Sequence, residues 1–312
     1  MSFFSVRPVL TGSLLALLAT VIWSGNFVLS RAMANDVPPM TLSLLRWGTA
    51  FVILLPFGAR NVWAARRHIA ARPGYFFFTG LLGVTLFNAF IYEAGRTTPA
   101  MNMALLAASS PLFALILSWM VKLGQPNVRH GLAVVCALTG ALIIIARGDP
   151  HVLLNLEFSA GDLWTLAGAA CFAAYSILVR WAPAALSAIG YLLAVVGVGV
   201  LLLVPMAAVE LALGASIAWS PLLVLQVLHL GLGMSVVAFL CWNAAIARIG
   251  AASASMNYYS LPVFSAAQAM WLLGERLTGA FLIGAAFVLC GILLGRPISR
   301  PADGSGAPAP KK

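Results

Sequence analysis

WSGNFVLSRA, residues 23–32, and FAAYSILVRW, residues 172–181, can be laid over each other without a gap, which brings Arg31 onto Arg180. The correspondence continues downstream at a spacing of about 150 residues. Pro56 falls on Pro205, and the GLLG run from Gly80 meets GLG from Gly231. SPLFALILSW around Pro111 meets LPVFSAAQAM around Pro262, and VKLGQPN meets LLGERLT. Matched Arg, Pro and Gly positions are hard to obtain by chance from Leu/Ala-rich sequence. The chain therefore reads as one unit written twice.

Each copy is built for lipid. Of the 312 residues 62% are hydrophobic and 8% charged, where a soluble domain carries roughly a quarter charged. A bilayer core needs about 20 apolar residues per helix. Such runs occur near 10–31, 38–58, 74–94, 99–121, 128–147, 161–181, 187–209, 220–247, 251–273 and 278–295. They are continuous rather than alternating, which excludes a transmembrane β-barrel. The expected fold is an all-α integral membrane protein with ten transmembrane helices. Five spans per copy is an odd number, so the second copy must cross the membrane upside down. Inverted repeats of this kind build many secondary transporters, with the substrate near the midplane between the halves. The division expected is a first repeat over 1–147, an outer connecting loop over 148–160, the inverted second repeat over 161–296 and a Pro/Gly/Ala-rich disordered tail over 297–312.

The net charge of +10 invites a nucleic-acid reading, but its distribution says otherwise. With the N-terminus in the cytoplasm, that side holds Arg7, Arg60, Arg66, Arg67, Arg72, Lys122, Arg129, Arg180, Arg248, Arg296, Arg300, Lys311 and Lys312. The other side holds Arg31, Arg96, Arg147 and Arg276, with Arg46 inside the second span. This is a strong positive-inside bias, so both termini are expected in the cytoplasm and the basic loops against anionic lipid. The first thirty residues could pass for a secretory signal ending at Ala32-Met33-Ala34. The apolar run is longer than a signal core, however, and has its own copy in the second half. Cys136, Cys171, Cys241 and Cys290 all fall in spans without a C-x-x-C spacing, so they read as small packing residues. Neither a metal nor a cofactor is expected.

The stretches LLATVIWSGNFVLSRA, PPMTLSLLRWGTAFVILLP, NAFIYEAGRTTPAMNMALLAASSPLFALILSW and PVFSAAQAMWLLGERLTG, in this order and spacing, resemble the drug/metabolite transporter superfamily of the EamA type. The resemblance covers residues 10–295. It implies export of small metabolites, often amino acids or toxic analogues, across a bacterial inner membrane. Among the branches, the chain is most similar to bacterial aromatic amino acid exporters. One departure is visible: Gly274-Glu275 keeps the family's turn, while the first copy has Gly124-Gln125.

Polar and aromatic side chains are costly against lipid and mark a transport path. The first span puts Ala19, Trp23, Asn26 and Ser30 on one stripe, and the third puts Asn88 and Tyr92 one turn apart. Met101 and Asn102 open the fourth, and Trp164, Gly168, Cys171 and Tyr175 line up in the sixth. His229, Trp242 and Asn243 come from the eighth, and Ser253, Asn257, Tyr258 and Ser260 from the ninth. Rings pack against rings, and Asn can donate to a carboxylate and accept from an ammonium. The set suits an amino acid with a ring. The alternative substrates are small polar amino acids of the threonine type or toxic amphipathic compounds. The same residues could serve as interfacial belt or interhelical polar contacts. Arg46 either binds a substrate carboxylate, pairs with Asp36 or helix-end carbonyls, or snorkels outward. His229 is the mid-span candidate for a proton relay, and Glu93, an acid at the end of the third span, is a second candidate. Facilitated diffusion and proton antiport are both open. Gly291 and Gly295 give a GxxxG spacing that serves internal packing or a homodimer.

Other classes fit less well. An intramembrane enzyme needs H-E-x-x-H, G-x-S-x-G or paired aspartates, and none is written here. A channel calls for repeated pore charge or a carbonyl filter. A transporter of small amino acid-like molecules is the function expected.

Overall fold

The computed structural model describes residues 3–98, 100–122, 128–145, 149, 151, 160–261, 263–265 and 279–295. The Gly124-Gln125 and Gly274-Glu275 turns, Pro262 and the tail lie outside these residues, as does the connecting loop apart from Asp149, His151 and Ala160. No strand occurs among the described residues. Six helices are long and apolar enough to cross a membrane: α1 (Val9–Ala32), α2 (Pro39–Ala64), α3 (Pro73–Thr97), α7 (Ala160–Trp181), α8 (Ala188–Ala212) and α9 (Pro221–Ile249). They are the first three expected spans of each repeat. The fourth span arrives as two pieces, α4 (Ala100–Ala107) and α5 (Ser110–Met120). Pro111 opens the second piece, where a missing N–H costs nothing. Shorter helices α6 (Val128–Ile145), α10 (Ala251–Tyr258) and α11 (Gly279–Gly295) follow in the fifth, ninth and tenth positions.

The helices pack in a reciprocal pattern. Helix α1 lies on α9 and α10, while its repeat-mate α7 lies on α3 and on α4 and α5. Helices α2 and α8 are mates and pack on each other, as do α6 and α11. The contact of α2 with the middle of α9 is answered by that of α8 with the middle of α3. Pro56 and Pro205 sit inside α2 and α8 at matching places, each removing one rung of backbone bonding. The faces turned away from these contacts carry Phe57, Trp63, Leu201 and Leu222 in the open, as lipid-facing surfaces do.

Matched residues end matched helices. Arg31 donates to the Gly95 carbonyl at 2.8 Å and the Arg96 carbonyl at 3.1 Å, at the end of α3. A cation there suits the helix dipole. Its mate Arg180 approaches the end of α9, where a β-carbon on Gly250 would stand 2.8 Å from a guanidinium nitrogen. Gly250 has φ +79°, a conformation glycine adopts freely.

Helices α3 and α9 each widen into a π-helical stretch, Leu81–Leu86 and Leu230–Val237, in the aligned glycine-rich segments. Such stretches break the regular i→i−4 ladder and often fall at functional positions. Gly83 is needed where it stands, because a β-carbon there would overlap the Tyr175 ring.

One cross-repeat contact was not legible in the sequence. Glu210, near the end of α8, accepts from the backbone N–H of Thr41 at 2.8 Å, the Thr41 hydroxyl at 2.8 Å and the Met40 N–H at 3.2 Å. It satisfies the first turn of α2, which is entered through Pro38 and Pro39 and has no side-chain cap hydrogen bond of its own. Glu210→Ala is expected to destabilise the protein by about 1–2 kcal/mol, the usual worth of a helix cap. A thermal melt of the purified variant at the wild-type temperature would refute this role.

Candidate functional site

The two halves meet on a cluster of rings. Trp23 from α1 and Phe172 from α7 occupy the same place in the repeat, and their ring centroids stand 5.2 Å apart, edge to face. Around them lie Phe239 and Trp242 of α9, at 5.1 and 5.4 Å from Trp23. Tyr258 of α10 is 5.6 Å from Phe172, and Phe87 of α3 is 5.0 Å from it. All of these side chains are buried. Edge-to-face and offset contacts of this kind add about 0.5–1.5 kcal/mol per pair beyond burial.

Polar groups are threaded through the rings. The Trp23 indole N–H donates to the Met234 carbonyl at 2.8 Å. That carbonyl belongs to the π-helical stretch of α9. Trp242 donates to the Ser176 hydroxyl at 3.0 Å, and Tyr175 donates to Asn243 Oδ1 at 2.7 Å. Arg46, 1% exposed, reaches from α2 into the same region. It donates to the Ser235 hydroxyl at 2.6 Å, Asn26 Oδ1 at 3.1 Å, the Tyr92 hydroxyl at 3.0 Å and the Met234 carbonyl at 3.3 Å. Its charge also stands 5.3 Å from the Trp47 ring centroid.

Three buried asparagines are half used. Asn88 and Asn257 donate to the Val84 and Ser253 carbonyls of their own helices, leaving both Oδ1 atoms without a partner. Asn243 accepts from Tyr175, leaving its Nδ2 without one. Buried amide atoms normally find a partner, so these three are places where a bound molecule could gain hydrogen bonds.

Trp23, Asn26, Asn88, Tyr92, Tyr175, Trp242, Asn243, Asn257 and Tyr258 are all buried in the interior, as their helical stripes suggested. Met101 and Asn102 belong to α4, but their side chains lie outside the described set. Two expected positions change, those of Trp164 and His229. Trp164 is 40% exposed and packs on Phe90, 5.0 Å between centroids, away from the central rings. It starts the same stripe as Tyr175 but stands three turns earlier, close to the span's end. His229 is exposed on α9, the neighbouring Leu230 taking the inward position. Glu93 pairs with Arg96 at 3.5 Å near the end of α3. Arg46 neither snorkels nor pairs with Asp36, because its length is spent reaching α1, α3 and α9. The sequence reading missed Phe172, Phe239, Met234 and Ser235. Phe172 was within reach, since the repeat lays it on Trp23.

Two matched helical halves meeting on a buried seam of rings, amides and one arginine define a multi-pass membrane protein of duplicated build. The chain belongs to the EamA-like transporter family, whose model matches residues 10–146 and again 159–295. It is a transporter, and its relatives are named as such rather than as enzymes. A protein from Archaeoglobus fulgidus described as an uncharacterized transporter is 25% identical over 90% of this chain and 96% of its own. A probable terminal-alkyne amino-acid exporter from Streptantibioticus cattleyicolor is 25% identical over 89% and 91%. A probable amino-acid metabolite efflux pump from Salmonella typhimurium is 26% identical over 94% and 98%. A solved crystal structure superposes with a TM-score of 0.71 over 91% of this chain and 95% of the other, at 20% identity. That likeness supports the fold.

Proposed function

We propose that the protein exports amino acids, aromatic ones foremost, across a bacterial inner membrane by alternating access. Ten spans form two inverted five-helix repeats, over 1–147 and 161–296, with both termini in the cytoplasm. The observation that carries this reading is the seam. Rings from α1, α7, α9 and α10 surround the contact of Trp23 with Phe172, the one place among the described residues where equivalent residues of the two repeats touch ring to ring. Half-used asparagines and Arg46 border it. This lining offers stacking surface for a side chain and donors and acceptors for a zwitterionic head. Inversion is supported by Arg31 and Arg180, matched residues that fall on opposite sides of the membrane by the positive-inside count. The names of the Streptantibioticus and Salmonella relatives point to the same substrate class. The π-helical stretches at matched places in α3 and α9 supply two points where the halves can rearrange.

Facilitated export is favoured over proton antiport. His229 faces outward and Glu93 is held by Arg96 away from the seam, so neither proton-carrier candidate stands where substrate would pass.

The test is uptake of labelled tryptophan, phenylalanine and threonine into proteoliposomes, with and without an imposed pH gradient. Saturable aromatic uptake that ignores the gradient is the expected result. Uptake of threonine alone would replace the aromatic reading, and uptake that follows the gradient would replace the facilitated one. Flux of none of the three would overturn the amino acid assignment.

A further inference from the structure

We infer that Arg46 is the anchor for a substrate carboxylate, and that the transporter selects by the carboxylate rather than the amine. Its ligands then extend to arylalkanoic acids that lack an amino group. The inference rests on the exporter reading and narrows its substrate class.

The charge of Arg46 is buried and locally unbalanced. Arginine keeps its charge in proteins and has no acceptor of its own. All four of its hydrogen-bond partners are neutral: a serine, an asparagine, a tyrosine and a main-chain carbonyl. The ion pair of Arg96 with Glu93 lies elsewhere, at the end of α3. A cation held only by neutral dipoles and the face of Trp47 in a low-dielectric interior draws an anion strongly.

Packing does not require the arginine. The register that lays Pro56 on Pro205 lays Arg46 on Val195, which is fully buried in α8. One repeat fills this place with an apolar side chain and the other with a charge. The two-fold pattern of helix packing is otherwise kept, so the charge breaks a symmetry that the fold obeys.

The free donors fit a carboxylate. Four of the five guanidinium N–H groups are spent on the partners named, leaving one on Nη2. The Tyr92 hydroxyl accepts from Arg46 and keeps its own hydrogen to give. Arg46 Nη2 and the Trp23 indole share the Met234 carbonyl, so an acid group at Arg46 has its side chain directed to the rings around Trp23. The amine end meets a different environment. Among the described residues the buried side-chain acceptors without a partner are all neutral: the amide oxygens Asn88 Oδ1 and Asn257 Oδ1 and the hydroxyls of Ser43 and Tyr259. Hydrogen bonds from an ammonium to such atoms add affinity, but they replace no missing counter-charge.

Titrating the purified full chain in lipid nanodiscs with L-phenylalanine, 3-phenylpropionate and 2-phenylethylamine, read by tryptophan fluorescence, tests this. The two carboxylates are expected to bind, and the amine at least about tenfold more weakly, the ratio a charge-assisted hydrogen bond provides. Arg46→Met is expected to lose both carboxylates, and Arg46→Lys to keep part of their binding. Equal binding of the amine and L-phenylalanine would overturn the inference, as would failure of both carboxylates to bind the wild-type protein. The exporter reading is separable from it. Carboxylates that bind but do not cross proteoliposome membranes would remove that reading and leave Arg46 as the anchor. Phenylalanine flux inhibited by 2-phenylethylamine as well as by 3-phenylpropionate would do the reverse.

Discussion

Arg46→Met is expected to leave the protein folded and to remove most transport. Two structural effects oppose each other. The substitution deletes four hydrogen bonds and strips Asn26 Oδ1 of its partner, and each buried polar group left unpaired costs about 1–3 kcal/mol. It also removes a buried ion without a counter-charge, whose desolvation costs several kcal/mol. Methionine is flexible enough to fill the space, and Val195 shows that an apolar residue packs at the equivalent place. A net stability change within about 2 kcal/mol is expected from this balance. Transport is another matter, because a lost charge-assisted hydrogen bond is worth about 1.5–3 kcal/mol, or roughly 10–150-fold. Thermal melts in detergent and proteoliposome uptake should therefore separate. Loss of both together would make Arg46 a structural residue, and wild-type flux would remove it from the site.

Trp23→Ala should be the most destabilising single change at the seam. The indole touches Phe172, Phe239 and Trp242 within 5.4 Å between centroids and Tyr258 at 6.2 Å. It also ties α1 to the π-helical stretch of α9 through the Met234 carbonyl. Deleting a buried aromatic ring costs about 3–5 kcal/mol, because the lost contacts and the remaining cavity add. The rings around it come from helices fixed by their own packing, so the hole cannot close. Trp23→Phe is a sharper control: it keeps a ring, drops the hydrogen bond and copies Phe172 of the other repeat. A cost of about 1 kcal/mol is expected for it. If Trp23→Ala melts with the wild type, the cluster does not hold the halves together.

Much of the fold could be read from hydrophobicity alone. The sixth span was expected over 161–181 and runs Ala160–Trp181, and the eighth was expected over 220–247 and runs Pro221–Ile249. A helix in lipid must satisfy its backbone internally, so a continuous apolar run admits little else. The second span ran past its expected end, from 58 to Ala64. Its last turns are polar enough to leave the apolar pattern, yet nothing there stops the helix.

Stripe reasoning found side chains that face inward, because i, i+3 and i+4 share a face. It could not say how deep along the axis a neighbour reaches. Trp164 shares its stripe with Tyr175 and is nevertheless peripheral. His229 looked central by its position in the run, but a turn of one residue, about 100° on a helix, gives the inner place to Leu230.

What the sequence by itself determined is the duplication, the lipid-facing composition and the identity of the residues too polar for lipid. These follow from local patterns and from one repeat period. The partners of those residues were decided only by tertiary structure. Arg46 and Ser235 are 189 positions apart, and Trp23 and Met234 are 211. Such contacts depend on how the helices rotate and cross, which is set by close packing over the whole bundle and not by any single run of residues.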